Sequence, residues 1–240
     1  MFRWTPDMIR FMRDASEYSG YNQELVSRMR PWLTPDTHIC DAGCGLGYLS
    51  LALSPYISQV TAADKNPNAL SVLQNNCRSR GVSNIRISCG DLFSMDPDIS
   101  FHSMVFCFFG GISDILALAS MHCQGMVFVF QRNCRFHRFS AGKHPSTQRF
   151  SESLEHLRRM NIPFEKQEFE LEFGQPFRSM ADARLFFETY NRDAAPSLIT
   201  DEFLQQKLIQ TGREDFPFYM PHSRPIGWIR FDARDLPTNL

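Results

Sequence analysis

The sequence lacks the features that would place the chain in a membrane or outside the cell. No apolar run approaches the roughly 20 residues that span a bilayer, and no signal-peptide stretch follows Met1. The formal net charge is −1, so no global field attracts nucleic acid or an anionic membrane. We therefore expect a soluble, cytoplasmic protein without a membrane partner. A nucleic-acid substrate ranks below a small molecule.

The seven cysteines also lack the spacing of a metal site. No two of them form a C-x-x-C pair, which disfavours zinc, and their number is odd. Several lie in apolar runs, where a free thiol behaves as a small hydrophobic side chain. We expect reduced, buried thiols, no disulfide and no bound metal. The cysteines are Cys40, Cys44, Cys77, Cys89, Cys107, Cys123 and Cys134.

Short apolar segments do alternate with helical patterns along the first half of the chain. Residues 59–63, 84–89, 103–109 and 126–130 are predicted as strands, and residues 112–121 as a helix. Strands that alternate with helices predict parallel βαβ units and therefore an α/β fold.

The second half has a different pattern. Glutamates alternate with apolar residues over 168–173, which is typical of an edge strand with one wet face, and 226–231 fits a final strand. Capping chemistry predicts further helices, the last of which would end before Gly212. The predicted N-cap residues are Thr5, Asn66, Ser179 and Thr200.

A glycine-rich loop, Asp41-Ala42-Gly43-Cys44-Gly45-Leu46-Gly47, lies between a predicted strand and an apolar helix. Glycine lets the backbone approach a ligand closely because no Cβ intervenes. The spacing is G-x-G-x-G rather than the G-x-G-x-x-G of dinucleotide-binding proteins. It resembles the first motif of the class I S-adenosylmethionine-dependent methyltransferases.

Two acids at later strand ends strengthen this resemblance, which covers about residues 35 to 131. Asp64 ends the second strand, where the family places an acid that accepts hydrogen bonds from both ribose hydroxyls. Asp91 matches the family acid that contacts the adenine amino group, with the backbone of Leu92 facing the ring. Open α/β sheets bind ligands at this edge.

The resemblance implies a cofactor, a fold and a set of site residues. The cofactor is S-adenosyl-L-methionine. The expected fold is a Rossmann-like, mostly parallel seven-stranded sheet with helices on both faces, an antiparallel last strand and an N-terminal helical lid. It forms one domain, 1–240, divided into a helical segment 1–34, a cofactor-binding half 35–131 and a substrate-side half 132–240. The implied cofactor-binding residues are Asp41, Gly43, Cys44, Gly45, Gly47, Asp64, Lys65, Asp91 and Leu92.

The substrate is less well indicated by the sequence. Relatives that methylate base or amide nitrogens carry an Asn/Asp-Pro-Pro-Tyr-like tetrad after the fourth strand, whereas this chain has Cys107-Phe108-Phe109-Gly110-Gly111. Gly110 would let the backbone approach the methyl donor. An acid-free basic stretch follows the fifth strand, and we predict a small anionic substrate held by Arg132 and Asn133, with help from Arg135 or Lys143. No catalytic residue is predicted.

Three other interpretations remain open. The same chemistry could act on RNA or protein, although no recognisable nucleic-acid-binding appendage accompanies the fold. The chain could be a non-catalytic cofactor-binding module, which the intact Asp41, Asp64 and Asp91 disfavour. An NAD-dependent oxidoreductase would prefer a different glycine spacing and would need an acid–base group that the sequence does not show.

Overall fold

A computed structural model describes residues 4–134, 149–190 and 198–237 of the chain. These residues form two compact units. The larger unit contains residues 22–133, 149–169 and 226–237, and the smaller unit contains residues 4–21, 134, 170–190 and 198–225. The division of one domain at residues 34 and 131 stays a prediction.

Ten strands make up two sheets, and seven of these strands form the larger sheet. Its order is β3-β2-β1-β4-β5-β10-β6, and the smaller sheet has the order β7-β9-β8. The strands are β1 (His38–Ala42), β2 (Gln59–Asp64), β3 (Ile85–Cys89), β4 (Ser103–Cys107), β5 (Met126–Arg132), β6 (Glu165–Glu172), β7 (Gln175–Phe177), β8 (Ile209–Gln210), β9 (Phe218–Met220) and β10 (Ser223–Asp232).

The first five strands run parallel, and their register brings their carboxyl ends to one edge. Asp41 pairs with Ala62 of β2 and with Val105 of β4, while Asp64 pairs with Cys89 of β3. β10 runs antiparallel to β5, with Trp228 opposite Phe130. The expected seven-stranded, mostly parallel sheet with an antiparallel last strand is confirmed. We call the shared edge the carboxyl edge.

The described residues also form eight α-helices, several of which start at the expected caps. The Asn66 side chain accepts hydrogen bonds from the backbone of Asn68 and Ala69, and Pro67 occupies the first turn. The helices are α1 (Pro6–Tyr18), α2 (Tyr21–Met29), α3 (Tyr48–Leu53), α4 (Pro67–Arg80), α5 (Ile112–His122), α6 (Arg149–Arg159), α7 (Met180–Tyr190) and α8 (Asp201–Lys207). None of them, within the described ranges, is long and apolar enough to cross a membrane.

Helices cover both faces of the larger sheet, as the alternation along β1 demonstrates. Cys40 and Ala42 belong to a buried cluster that includes Ile115 of α5 and Leu154 of α6. Asp41 lies between them in sequence and therefore points to the opposite face. There its carboxylate accepts a hydrogen bond from Ser50 of α3. The core on the α5 and α6 face stabilises the sheet by removing apolar surface from water.

The smaller unit has a separate aromatic core that the sequence analysis did not anticipate. Phe11 of α1 packs edge-to-face on Phe177 of β7 and on Phe186 of α7. Asp14, which is buried, accepts a hydrogen bond of 2.5 Å from Arg178. Burial of a charge is costly unless it is paired, so the pairing with Arg178 allows Asp14 of α1 to be buried. The predicted lid role of the N-terminal helices stays a prediction.

Several element boundaries differ from the sequence prediction for local reasons. β4 stops at Cys107 rather than residue 109, because Phe108 has a φ of 56° and leaves the strand conformation. β5 continues to Arg132 because that residue pairs with Ile226 of β10. The last helix stops at Lys207, five residues before Gly212, because residues 209–210 pair with β9 instead.

Gly227 gives a test of the packing between β10 and α6. A Cβ at this position would overlap the ring of Phe150, which is itself buried. We expect Gly227→Ala to lower the free energy of unfolding by about 1–3 kcal/mol in urea denaturation, because overpacking displaces the ring. Gly20→Ala is the matched control, since nothing lies within 4 Å of a Cβ there. Equal stability of the two variants would contradict the packing argument.

Candidate functional site

The glycine-rich loop leaves β1 at the carboxyl edge and leads into α3. Gly43, Gly45 and Gly47 have φ values of 72°, 54° and 74°, in the left-handed region that favours glycine. The backbone N–H groups of Gly43 and Cys44 donate to the carbonyl of Ala63 at 2.8 and 3.0 Å. These bonds hold the loop against the end of β2.

Asp64 connects the same loop with the start of the next helix. Its Oδ2 accepts a hydrogen bond of 2.9 Å from the Gly45 backbone, and its Oδ1 accepts one of 2.8 Å from the Asn66 backbone. The side chain is only half-buried, and each carboxylate oxygen can accept more than one hydrogen bond. Asp64 therefore orders the loop and retains acceptor capacity toward a ligand.

Asp41 lies deeper than the sequence analysis suggested. Its side chain is only 1% exposed, and its Oδ2 accepts a hydrogen bond of 2.6 Å from Ser50. Burial raises the pKa of this carboxyl to about 6, although the Ser50 hydrogen bond opposes the shift. Burial likewise raises the pKa of the neighbouring Cys44 thiol. Asp41 thus links the start of the glycine loop to α3 through its hydrogen bond with Ser50.

Lys65 and Asp91 form an ion pair at the ends of β2 and β3. The Lys65 Nζ lies 2.7 Å from Asp91 Oδ2, and both side chains are exposed. This hydrogen bond is the main reason that the pKa of Asp91 is lowered. Asp91 Oδ1 accepts a hydrogen bond from the Phe93 backbone, which places buried Leu92 between them. The ring of Phe93 is 44% exposed beside this pair.

The loop after β4 approaches the glycine loop closely. A Cβ on Gly43 would lie 2.5 Å from Cδ2 of Phe109, so the two loops meet only because position 43 is glycine. Phe108 has a left-handed backbone, a conformation that costs a non-glycine residue about 1–2 kcal/mol. Strain of this kind is often found at functional sites.

Gly110 and Gly111, which follow Phe109, are each held by a side chain. Asp114 Oδ2 accepts a hydrogen bond of 3.2 Å from the backbone of Gly111, which caps α5. The Arg149 guanidinium donates to the carbonyl of Gly110. Arg149, the first residue of α6, therefore contacts this loop, although in the sequence it lies in the basic stretch after the fifth strand.

The end of β5 carries the residues that were predicted to face the substrate. Arg132 is its exposed last residue. Asn133 donates a hydrogen bond of 2.9 Å to Glu168 of β6, so its amide is engaged with another strand. Gln131, the residue before Arg132, is 2% exposed. The other predicted cations, Arg135 and Lys143, lie outside the described residues.

Sequence reasoning did not predict the surroundings of four residues at this edge. Ser50 pairs with Asp41, Phe109 packs on Gly43, and Arg149 holds Gly110. Gln131 is buried. No short-range signal identifies the contacts of Ser50, Phe109 and Arg149, because each of their partners lies at least nine positions away. The described residues contain no group of three or more potential metal ligands.

Comparison with known proteins gives a family match over part of the chain. Residues 39–122 match the family described as "Methyltransferase domain", and this range includes the glycine loop, Asp64 and Asp91. Residues 39–122 are therefore similar to methyltransferase domains. S-adenosylmethionine is the cofactor of such domains, and this agrees with the resemblance of the glycine loop.

A curated relative matches part of this chain. It is the 23S rRNA (uracil(1939)-C(5))-methyltransferase of Chromohalobacter salexigens, which is 27% identical over 81 residues. The match covers 33% of this chain and 17% of that protein.

Solved structures share the fold of the methyltransferase domain at low identity. A putative methyltransferase from Bacillus halodurans is 14% identical with a TM-score of 0.58, and the match covers 89% of this chain and 99% of that one. The YcgJ protein from Bacillus subtilis is also 14% identical, with a TM-score of 0.56 and coverage of 88% and 98%.

The buried carboxyl of Asp41 predicts a pH-dependent stability. Its pKa is about 6 in the fold and about 3.8 ordinarily, so its contribution to stability is complete below pH 3.8 and is lost as the pH rises through 6. We expect the stability of the wild type relative to Asp41→Asn to fall by about 2 kcal/mol between pH 4.5 and pH 7. Urea denaturation at both pH values measures this difference.

Asp36→Asn serves as the control for this experiment, because Asp36 is an exposed turn residue. Its stability should follow that of the wild type at both pH values. A constant difference between the wild type and Asp41→Asn would show that Asp41 keeps the same protonation in the folded and unfolded states.

Proposed function

We propose that this chain transfers a methyl group from S-adenosylmethionine to a small anionic molecule in the cytoplasm. The observation that carries the proposal is the position of Asp64, whose half-buried carboxylate holds the glycine loop at the carboxyl edge. Ligands of open α/β sheets bind beyond this edge.

The residues present fit the cofactor in their chemistry. Asp64 has lone pairs left for two ribose hydroxyls, and a charged acceptor strengthens such hydrogen bonds. Asp91, with Leu92, would receive the adenine, and the exposed ring of Phe93 offers a surface for stacking. Gly43, Cys44, Gly45 and Gly47 would follow the amino-acid and ribose parts through their backbone.

The demands on the protein during transfer are mainly geometric. The cofactor carries an already activated methyl group, so the protein has to align the acceptor and exclude water. Gly110, held by Arg149 and next to the capped start of α5, gives a firm backbone surface at the end of β4. A general base is needed only if the acceptor atom is protonated at working pH.

An RNA or protein substrate is the second candidate. The observation that favours it is the match to the rRNA methyltransferase, which covers 17% of that protein. The net charge of −1 opposes it, because binding to the phosphate backbone of RNA draws on positive charge. A non-catalytic role is the third candidate, and absence of turnover with every acceptor class would favour it.

Asp64 gives the test of cofactor binding. We expect the wild type to bind S-adenosylhomocysteine with micromolar affinity in calorimetry and not to bind NAD. Asp64→Ala should weaken this binding about a hundredfold, or about 3 kcal/mol, because two charge-assisted hydrogen bonds are lost. Glu155→Ala, which removes an exposed acid on α6, is the control and should bind as the wild type does. Unchanged affinity in Asp64→Ala would exclude the ribose contact.

Arg132 gives the test of the substrate class. Transfer of a radiolabelled methyl group to a panel of small carboxylates and phosphates should identify an acceptor. RNA and protein are assayed as acceptors in parallel. For that acceptor, Arg132→Ala should raise KM roughly 10- to 100-fold, because a charge-assisted hydrogen bond is lost, and should leave S-adenosylhomocysteine binding intact. Arg78→Ala, which removes an exposed cation on α4, is the control. Turnover of RNA or protein alone would refute the small anionic substrate.

A further inference from the structure

Gln131, at the end of β5, has a buried side-chain amide that makes no hydrogen bond to the described residues. Its side chain is 2% exposed, and neither Oε1 nor Nε2 has a partner in the part of the chain that the structure describes. Leaving such a group unsatisfied costs about 1–3 kcal/mol, so an unpaired amide in a core requires an explanation.

Gln175, another deeply buried glutamine, has a different hydrogen-bond environment. Gln175 is 5% exposed, and its Nε2 donates to the carbonyls of Phe11 and Pro176 at 3.2 and 3.1 Å. That amide serves the structure by satisfying backbone groups. Gln131 makes no such bond in the described residues, although it is buried as deeply.

The position of Gln131 places it at the carboxyl edge, next to the loop after β4. Phe130 pairs with Cys107, and its carbonyl accepts a hydrogen bond of 2.8 Å from Phe108. Gln131 is the next residue, so it lies level with the strained turn that leads to Gly110. This is the edge at which the glycine loop and Asp64 also lie.

The strand register also identifies the face on which its side chain lies. Side chains alternate along a strand, so Gln131 shares a face with Val129, which belongs to the cluster around α6. Its cross-strand partner is Gly227, which has no side chain, and the ring of Phe150 fills the space above that glycine. Arg149, the residue before Phe150, holds Gly110. Gln131 therefore lies on the same face as this arginine.

Other buried polar atoms without partners do not share these properties. His122 Nε2 and Trp228 Nε1 each leave a single atom unsatisfied. His122 is the last residue of α5, and its Nδ1 bonds to the carbonyl of Ile99, before β4, at the opposite edge of the sheet. Among the described residues, Gln131 alone leaves both a donor and an acceptor unsatisfied.

We propose that Gln131 is a specificity-determining residue that binds the methyl acceptor. Its amide offers a donor and an acceptor side by side, as when glutamine reads an adenine edge. The matching ligand is a small molecule with an amide-type edge, such as a carboxamide or lactam, beside the anionic group that Arg132 would hold. This inference rests on the proposed function. It adds the chemical class of that part of the methyl acceptor which would bind at the carboxyl edge on the face covered by α6.

The first arm of the test is stability without a substrate. Gln131→Leu, which is similar in size and has no polar atoms to satisfy, should raise the melting temperature by about 2–4 °C. Gln175→Leu is the matched control and should lower it, because two carbonyls lose their donor. A lower melting temperature in Gln131→Leu would mean that its amide is bonded within the fold, and would overturn the proposal.

The second arm detects the ligand edge directly. The side-chain NH₂ signals of Gln131 in a ¹⁵N-correlation spectrum are identified by their loss in Gln131→Leu. With saturating S-adenosylhomocysteine present, acetamide should shift these signals saturably, and acetate, which offers only acceptors, should shift them at least several-fold less. Acetamide without effect, or acetate with an equal effect, would overturn the proposal. If the wild type fails to bind S-adenosylhomocysteine in this experiment, the proposed function itself fails.

Discussion

The carboxylate of Asp64 joins the two backbone segments on which the candidate site is built. One oxygen holds Gly45 of the glycine loop and the other holds Asn66, which caps α4. The carbonyl of Ala63 holds the loop at two further backbone N–H groups. These external acceptors pair three backbone N–H groups of a loop whose glycines have left-handed backbones. Loss of this anchor would leave the loop without a defined distance from β2.

The same edge contains several groups in conformations or environments that cost free energy. Asp41 is buried with a raised pKa, Phe108 has a left-handed backbone, and Gln131 leaves its amide unsatisfied. Each cost is small relative to the apolar burial on both faces of the sheet, so the fold tolerates them. These groups lie at the ends of β1, β4 and β5. A ligand can bind only to polar groups that the fold has not already satisfied, so departures from ideal packing are expected at a binding edge.

The substrate hypotheses place charge and neutral polarity on different faces of β5. Arg132 and Gln131 are adjacent in sequence and therefore point to opposite faces. An acceptor with an anionic group and an amide-type edge would have to reach around the end of the strand. The carbonyl of Gly110, held by Arg149, marks the α6 side of that path. Substitution of Gln131 and of Arg132 should therefore affect separate parts of an acceptor.

The sequence by itself determined the α/β class, the order of strands and helices, and the acids at the ends of β2 and β3. These features depend on local patterns: apolar runs, capping residues and the glycine spacing. It also determined the cap of α4 by Asn66. The boundaries of β4 and α8 escaped prediction, because they depend on the backbone of Phe108 and on pairing with β9.

Only the tertiary structure decided which polar groups at the edge already have partners. Asp41 faces Ser50 instead of the surface, Lys65 neutralises Asp91, and Asn133 is bonded to Glu168. Gln131, which has no sequence motif, emerged as the buried amide. Such pairings join residues as many as 35 positions apart in these examples. They depend on strand register and helix packing, which no local pattern encodes.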